Sequence, residues 1–246
     1  LTGGDAEATE VERVLGELVL ANRILANERV IDDFGHVSVR HPADQGRYFI
    51  ARALSPSQVT REDIQEFTLD SAPTTDLGGR RPYAERALHG CVYAARADVG
   101  AVVHHHAPPI LPFTITGERL RPVVHLGSVM GEAAPLWDSQ DEFGDTTLLV
   151  DDNDKGASMA RALGGAAMVL IRRHGATVVG DSIRDAVFTA IHSTANARLL
   201  LQALALGAVQ ELTKGEIEKA RALHRSAFAQ GRAWDFWLHR AGLSEA

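Results

Sequence analysis

Ala101-Val102-Val103-His104-His105-His106-Ala107-Pro108 joins a short apolar run to three consecutive histidines, and a proline halts the pattern two residues later. The run at 100–103 is bounded by turn residues and reads as a buried strand. Side chains alternate faces along a strand, so His104 and His106 point one way and His105 the other. Two imidazoles on one face can chelate a divalent ion with near-tetrahedral nitrogen positions. Taken alone, the triplet serves equally well as a polar strand end with hydrogen-bonded rings, so the rest of the chain has to decide.

Composition narrows the field. A chain of 246 residues can build one large α/β domain with a sizeable core, and 45% apolar with 23% charged residues is an ordinary globular balance. The net charge of −7 and the lack of any basic stripe argue against a nucleic-acid surface. Cys91 is the one cysteine, which excludes an internal disulfide and suits a reducing compartment; it sits in an apolar helical pattern as a small core residue. No apolar run approaches membrane-spanning length and no signal-peptide pattern opens the sequence, so the expected location is cytoplasmic.

Outward from the triplet, apolar spacing predicts a helix at 7–28, a hairpin of strands at 36–40 and 47–51, a Thr60/Asp63-capped turn, and a strand near 67–70. A helix is expected at 83–97, placing Glu85 and His89 on one face four residues apart. Beyond the histidines come a short helix at 108–113, a strand at 122–126 ending in His125, and a solvated acidic loop at 138–145. Strands follow at 146–150, 167–171 and 176–179. Helices are expected at 153–163, at 183–206 with Asp181 or Ser182 as cap and Gly207 as stop, and as one last helix at 213–240. With no repeat or flexible linker, residues 1–246 read as a single domain.

His41, His192, His224 and His239 lie in turns or on polar helix faces and need no function. His174 differs: it ends an apolar strand and is followed at once by Gly175, where a sheet margin could bring it to His104 and His106. Three imidazoles leave a coordination position open, as catalytic sites do, and Glu85 supplies a carboxylate for acid–base work beside the ion.

Glu85, then His89, then Val103-His104-His105-His106, then His174-Gly175 resembles the class II aldolase/adducin family, and the likeness extends from the first helix through Gly35-His36-Val37-Ser38-Val39-Arg40 to the helix ending near Leu206. The resemblance implies a three-layer α/β/α domain around a mostly antiparallel sheet. It implies one divalent ion per subunit on His104, His106 and His174, zinc first, with manganese, iron or cobalt also suited to imidazoles. It further implies a homotetramer with active sites at subunit interfaces, the 213–240 helix lying at a boundary.

The family's sugar-phosphate aldolases hold phosphate on glycines and hydroxyls, which leave backbone N–H groups open. This sequence has His36, the Ser57-Gln58 pair and Tyr83 at those positions, a substrate-binding set that fills the phosphate space. The family's catalytic tyrosine, donated by a neighbouring subunit, aligns with Leu126, beside His125. The proton donor is therefore Glu85, held neutral by apolar neighbours such as Tyr83, or else His125. These departures resemble the branch that decarboxylates hydroxylated phthalates, so the expected reaction is loss of carbon dioxide from an ortho-hydroxylated aromatic acid such as 3,4-dihydroxyphthalate. Aldol-type cleavage of an unphosphorylated hydroxy-keto acid is the runner-up. An iron oxygenase on the same fold and a non-catalytic adducin-like head stay open as further readings. Arg40, Arg86 and Arg173 are weaker candidates for a substrate carboxylate, and Trp234, Phe236 and Trp237 read as packing.

Overall fold

The computed structural model describes residues 3–245. The quoted stretch is its central strand. Strands β1 (His36–Arg40), β2 (Arg47–Ala51), β3 (Ile64–Thr68), β4 (Ala101–His105), β5 (Leu136–Trp137), β6 (Met168–Ile171) and β7 (Gly175–Gly180) form one sheet in the order β3-β2-β1-β4-β7-β6-β5. Neighbours run antiparallel except β5 and β6. The helices are α1 (Gly3–Asn27), α2 (Arg86–Ala95), α3 (Leu111–Ile115), α4 (Gln140–Phe143), α5 (Asn153–Leu163), α6 (Ile183–Leu206), α7 (Lys214–His224) and α8 (Ala227–Ala241).

Both sheet faces are covered, which explains why β4, β6 and β7 are buried throughout rather than alternating. On one face Val37, Val103 and Val178 meet Leu18 and Ile24 of α1, Ala186 and Ala190 of α6, and Trp234 of α8. On the other, Ile50, Val102 and Val169 meet Leu88 and Val92 of α2 with Met159 and Leu163 of α5. The architecture is thus the expected three-layer α/β/α with a mostly antiparallel sheet. Alternation along β4 sends His104 toward the α2/α5 layer with Val102, and His105 toward the α1/α6 layer with Val103. Cys91 is buried and its thiol is pushed up to about 11 by burial, as a core residue rather than a nucleophile.

Helices with strong cap signals fall where the sequence puts them: Asp152 accepts the Lys155 N–H at the start of α5, and Ser182 accepts that of Asp185 at the start of α6. Four expectations need correction. Residues 122–126 form no strand; the Val123 N–H donates to the Asn196 side chain, which in turn donates to the Arg121 carbonyl, and His125–Met130 is a 3-10 helix. A side chain of α6 thus takes the place of a sheet neighbour. Residues 146–150 are also not a strand, because their backbone groups serve the site described below. The expected acidic loop contains α4. The last helix is two: α7 ends at His224, Ser226 caps α8, and Arg225 between them pairs with Asp181 and Asp185. In α8, Trp234 and Trp237 are buried as expected, whereas Phe236 is exposed. Among the described residues, no helix is long and apolar enough to cross a membrane.

Candidate metal centre

The middle of the sheet delivers the site. His104 and His106 leave the end of β4, and His174 leaves the turn joining β6 to β7, where Arg173 is left-handed (φ 57°) and the His174 N–H donates to the Ile171 carbonyl. Gly175 is what lets this turn lie against β4: a Cβ there would stand 2.3 Å from the His105 carbonyl oxygen and 2.9 Å from the His106 ring. Glu85 arrives from the opposite layer as the N-cap of α2. The helix begins at Arg86, so Glu85 caps it rather than lying within it; both side chains still turn toward one patch of the sheet, Glu85 to His104 and His174 and His89 to His36, whose ring lies 5.1 Å from that of His104.

The three Nε2 atoms converge, at 3.0 Å (His104–His106), 3.2 Å (His104–His174) and 2.9 Å (His106–His174). Glu85 Oε2 lies 3.6 Å from both His104 Nε2 and His174 Nε2. All four ligand atoms fall within 4.8 Å of one another. The other ring nitrogens fix the tautomers. His174 Nδ1 donates to the Leu148 carbonyl at 2.7 Å, and an oxygen of that kind can only accept. His106 Nδ1 sits 3.1 Å from both oxygens of Asp32. Burial works against the Asp32 carboxylate, but His106 and the N–H groups of Phe34 and Gly35 outweigh it and hold the group below its ordinary range, so it too accepts. His104 Nδ1 is 3.3 Å from Thr177 Oγ1, whose own proton points to Met159 Sδ. Each Nε2 therefore carries a lone pair, and three lone pairs aimed at one point repel unless a cation lies between them. Tetrahedral zinc with imidazole ligands needs nitrogens about 3.3 Å apart, close to what the rings present. The residues fit a divalent ion.

Glu85 Oε1 accepts the Val150 N–H at 2.9 Å, which turns Oε2 to the histidines. His104 is sealed, while the His106 side chain keeps 16% of its surface, so access is from the His106 side. Burial, then the neighbouring histidines, hold His104 and His36 well below the ordinary histidine range. Sequence reading missed the supporting residues Asp32, Thr177, Leu148 and Val150. Asp32 was visible as an acidic helix breaker. The Leu148 carbonyl and Val150 N–H act through the backbone and leave no side-chain signature.

The remaining sequence candidates divide. The His36 ring packs 4.5 Å from Tyr83 and 5.1 Å from His104, directly beside the centre. Tyr83 donates its hydroxyl to the Leu54 carbonyl at 2.6 Å, and burial pushes the phenol up to about 12. Ser57 and Gln58 are exposed on a 3-10 turn (Pro56–Gln58) and, among the described residues, share no hydrogen bond with the cluster. His125 is exposed, with Nδ1 3.0 Å from His224 Nε2, and is not a member of the cluster. Arg40 is occupied by the carbonyls of Val99, Gln45, Tyr93 and Arg96, and Arg86 by those of Ser71 and Tyr83, so both guanidiniums are structural.

Two expected outcomes arise here. Asp32→Asn presents an amide that can donate to His106 Nδ1, which moves the ring proton onto Nε2 and blocks ligation. Metal affinity should fall roughly 10–100-fold by competition against a chelating dye, and unchanged affinity would remove Asp32 from the site. The second concerns pH. Burial pushes His89 down to about 3, and burial with help from His106 does the same to His105. Both titrate near about 6.5 when unfolded, so below that pH the unfolded chain takes up protons that the folded chain refuses. Stability of metal-free protein should fall from about pH 6.5 toward about pH 3, by up to about 1.4 kcal/mol per pH unit for each histidine. Urea midpoints that do not move between about pH 7 and pH 5 would contradict this.

The fold and the centre together define a class: an α/β/α domain in which histidines from two strand ends meet a helix-capping glutamate. The chain belongs to the class II aldolase/adducin family, and the family described as Class II Aldolase and Adducin N-terminal domain matches residues 16–201. It is 31% identical over 240 residues to decarboxylase tropJ of Talaromyces stipitatus, covering 87% of this chain and 89% of that one. It is 30% identical over 230 residues to a 3,4-dihydroxyphthalate decarboxylase of Terrabacter sp., covering 90% and 94%. The solved L-fuculose 1-phosphate aldolase from Glaciozyma antarctica has a TM-score of 0.79 at 21% identity over 96% of this chain and 92% of its own, a likeness of fold. The chain is an enzyme of the carbon–carbon lyase class.

Proposed function

We propose that the protein is a divalent-metal-dependent decarboxylase of an ortho-hydroxylated aromatic acid, of the 3,4-dihydroxyphthalate type. The observation that carries this reading is the convergence of three Nε2 lone pairs beside a buried glutamate, in a chain similar to two decarboxylases. His104, His106 and His174 hold the ion, zinc being the first choice for neutral imidazoles. When bound, it supplies Lewis-acid stabilisation of negative charge on the substrate's oxygens.

The chain's own groups do the rest. The Val150 N–H occupies one oxygen of Glu85, so the other, facing the histidines, is the one free to carry a proton to the substrate. Glu85 delivers that proton to the ring carbon bearing the leaving carboxylate. The bond to the carboxylate then breaks, its electron pair restores the aromatic ring, and carbon dioxide departs. Tyr83 and His36 form the wall against which the ring lies, in the space a phosphate needs, while Ser57 and Gln58 contact substrate from the rim. His125 serves as donor only if a second copy of the chain carries it to this centre, as in the homotetramer implied by the family; Glu85 needs no such help.

Metal-loaded protein incubated with 3,4-dihydroxyphthalate and related acids should release one carbon dioxide per acid consumed. No turnover on any ortho-hydroxylated aromatic acid discards the substrate class. Aldehyde or pyruvate appearing without carbon dioxide selects aldol cleavage instead.

A further inference from the structure

Behind His36 runs a buried chain of polar groups that the reaction does not itself use. His36 Nδ1 lies 2.7 Å from His89 Nε2, His89 Nδ1 lies 2.6 Å from Ser38 Oγ, and Ser38 Oγ lies 2.8 Å from the Tyr93 hydroxyl. All four residues are at most 1% exposed. The sheet register builds the row: His36 and Ser38 are two apart on β1 and share the face toward α2, which carries His89 and Tyr93 four apart.

Its direction follows from proton counting. Two groups approach the Tyr93 hydroxyl, Ser38 Oγ and the Val102 backbone N–H; the N–H can only donate, so the buried hydroxyl gives its own proton to Ser38 Oγ. Burial pushes this phenol well above its ordinary range, so the proton stays on it. Ser38 has one proton and passes it to His89 Nδ1. His89, neutral because burial pushes it down to about 3, must then carry its hydrogen on Nε2 and donate to His36 Nδ1. That leaves the His36 hydrogen on Nε2. This atom has no partner among the described residues, yet unlike His105 Nε2 it is not sealed in the core without one. Its ring stands against Tyr83 and His104.

We propose that Tyr93, Ser38 and His89 are positioning residues that lock His36 as a fixed Nε2–H donor, and that this donor binds an anionic oxygen of the acid substrate beside the metal centre. The identity of the ligand oxygen rests on the decarboxylase reading; the tautomer does not. A neutral donor locked from behind selects for a carboxylate or phenolate oxygen and cannot accept a proton from a group that only donates.

Two measurements test this. Long-range proton–nitrogen correlation spectra of zinc-loaded, histidine-labelled protein should show His36 protonated at Nε2 and bare at Nδ1; a proton on Nδ1 overturns the proposal without any substrate. Kinetically, His89→Leu and Ser38→Ala should raise KM for the aromatic acid roughly 10-fold or more, with metal content unchanged and kcat affected less. His89→Gln, whose amide can accept from Ser38 and donate to His36, should restore most of it. An unchanged KM in His89→Leu at full metal content overturns the lock. Should a variant fail to fold, the wild-type spectrum still decides. A wild-type protein that turns over no aromatic acid, yet shows the expected tautomer, refutes the substrate assignment and leaves the lock standing.

Discussion

His174→Ala strips the protein of its metal and its turnover together while leaving the fold intact. The remaining pair, His104 and His106, offers two nitrogens where three converge at 2.9–3.2 Å, and one of the two nitrogens 3.6 Å from Glu85 Oε2 is lost. Without a cation, the charge that develops on substrate oxygen has no partner, and a loss of several kcal/mol corresponds to at least about a 10³-fold fall in kcat. The stability outcome is the sharper test. Metal-loaded wild type should melt above its metal-free form, because a ligand that binds only the folded state stabilises it. Metal-free His174→Ala should melt close to metal-free wild type, since the loss of the hydrogen bond to the Leu148 carbonyl is offset by removal of one of three mutually repelling lone pairs. Metal analysis, turnover and paired melting curves check this, and a variant that keeps one metal per chain would refute the ligand set.

Glu85→Gln should have the opposite profile: full metal content, nearly unchanged KM, and a kcat lower by roughly 10²–10⁴-fold. The amide oxygen can still accept the Val150 N–H, so the side chain keeps its orientation, and three imidazoles still hold the ion. What is lost is a transferable proton, because an amide N–H does not leave at neutral pH. Loss of metal comparable to that of His174→Ala would make Glu85 a ligand in place of a proton donor.

Much of this centre was legible because its signals are local. An apolar run closing on His104-His105-His106 states both a buried strand and, through the two-residue period, which rings share a face. His174-Gly175 states a strand margin. Helix caps at Asp152, Ser182 and Thr213 state where helices start. The misread segments share one cause. Residues 122–126 and 146–150 are apolar enough for strands, but their backbone groups are satisfied by Asn196, Glu85 and His174, all remote in the chain. The break at Arg225 likewise depends on Asp181 and Asp185.

The order of residue types alone therefore determined the class of fold and the three histidines with their glutamate. Tertiary structure decided the rest: which nitrogen each imidazole turns inward, which oxygen of Glu85 faces the centre, and the row of protons behind His36. The reason is physical. A side chain's type and its alternation along a strand are properties of neighbours in sequence, whereas a tautomer is set by whatever donor or acceptor the fold carries up to the far side of the ring.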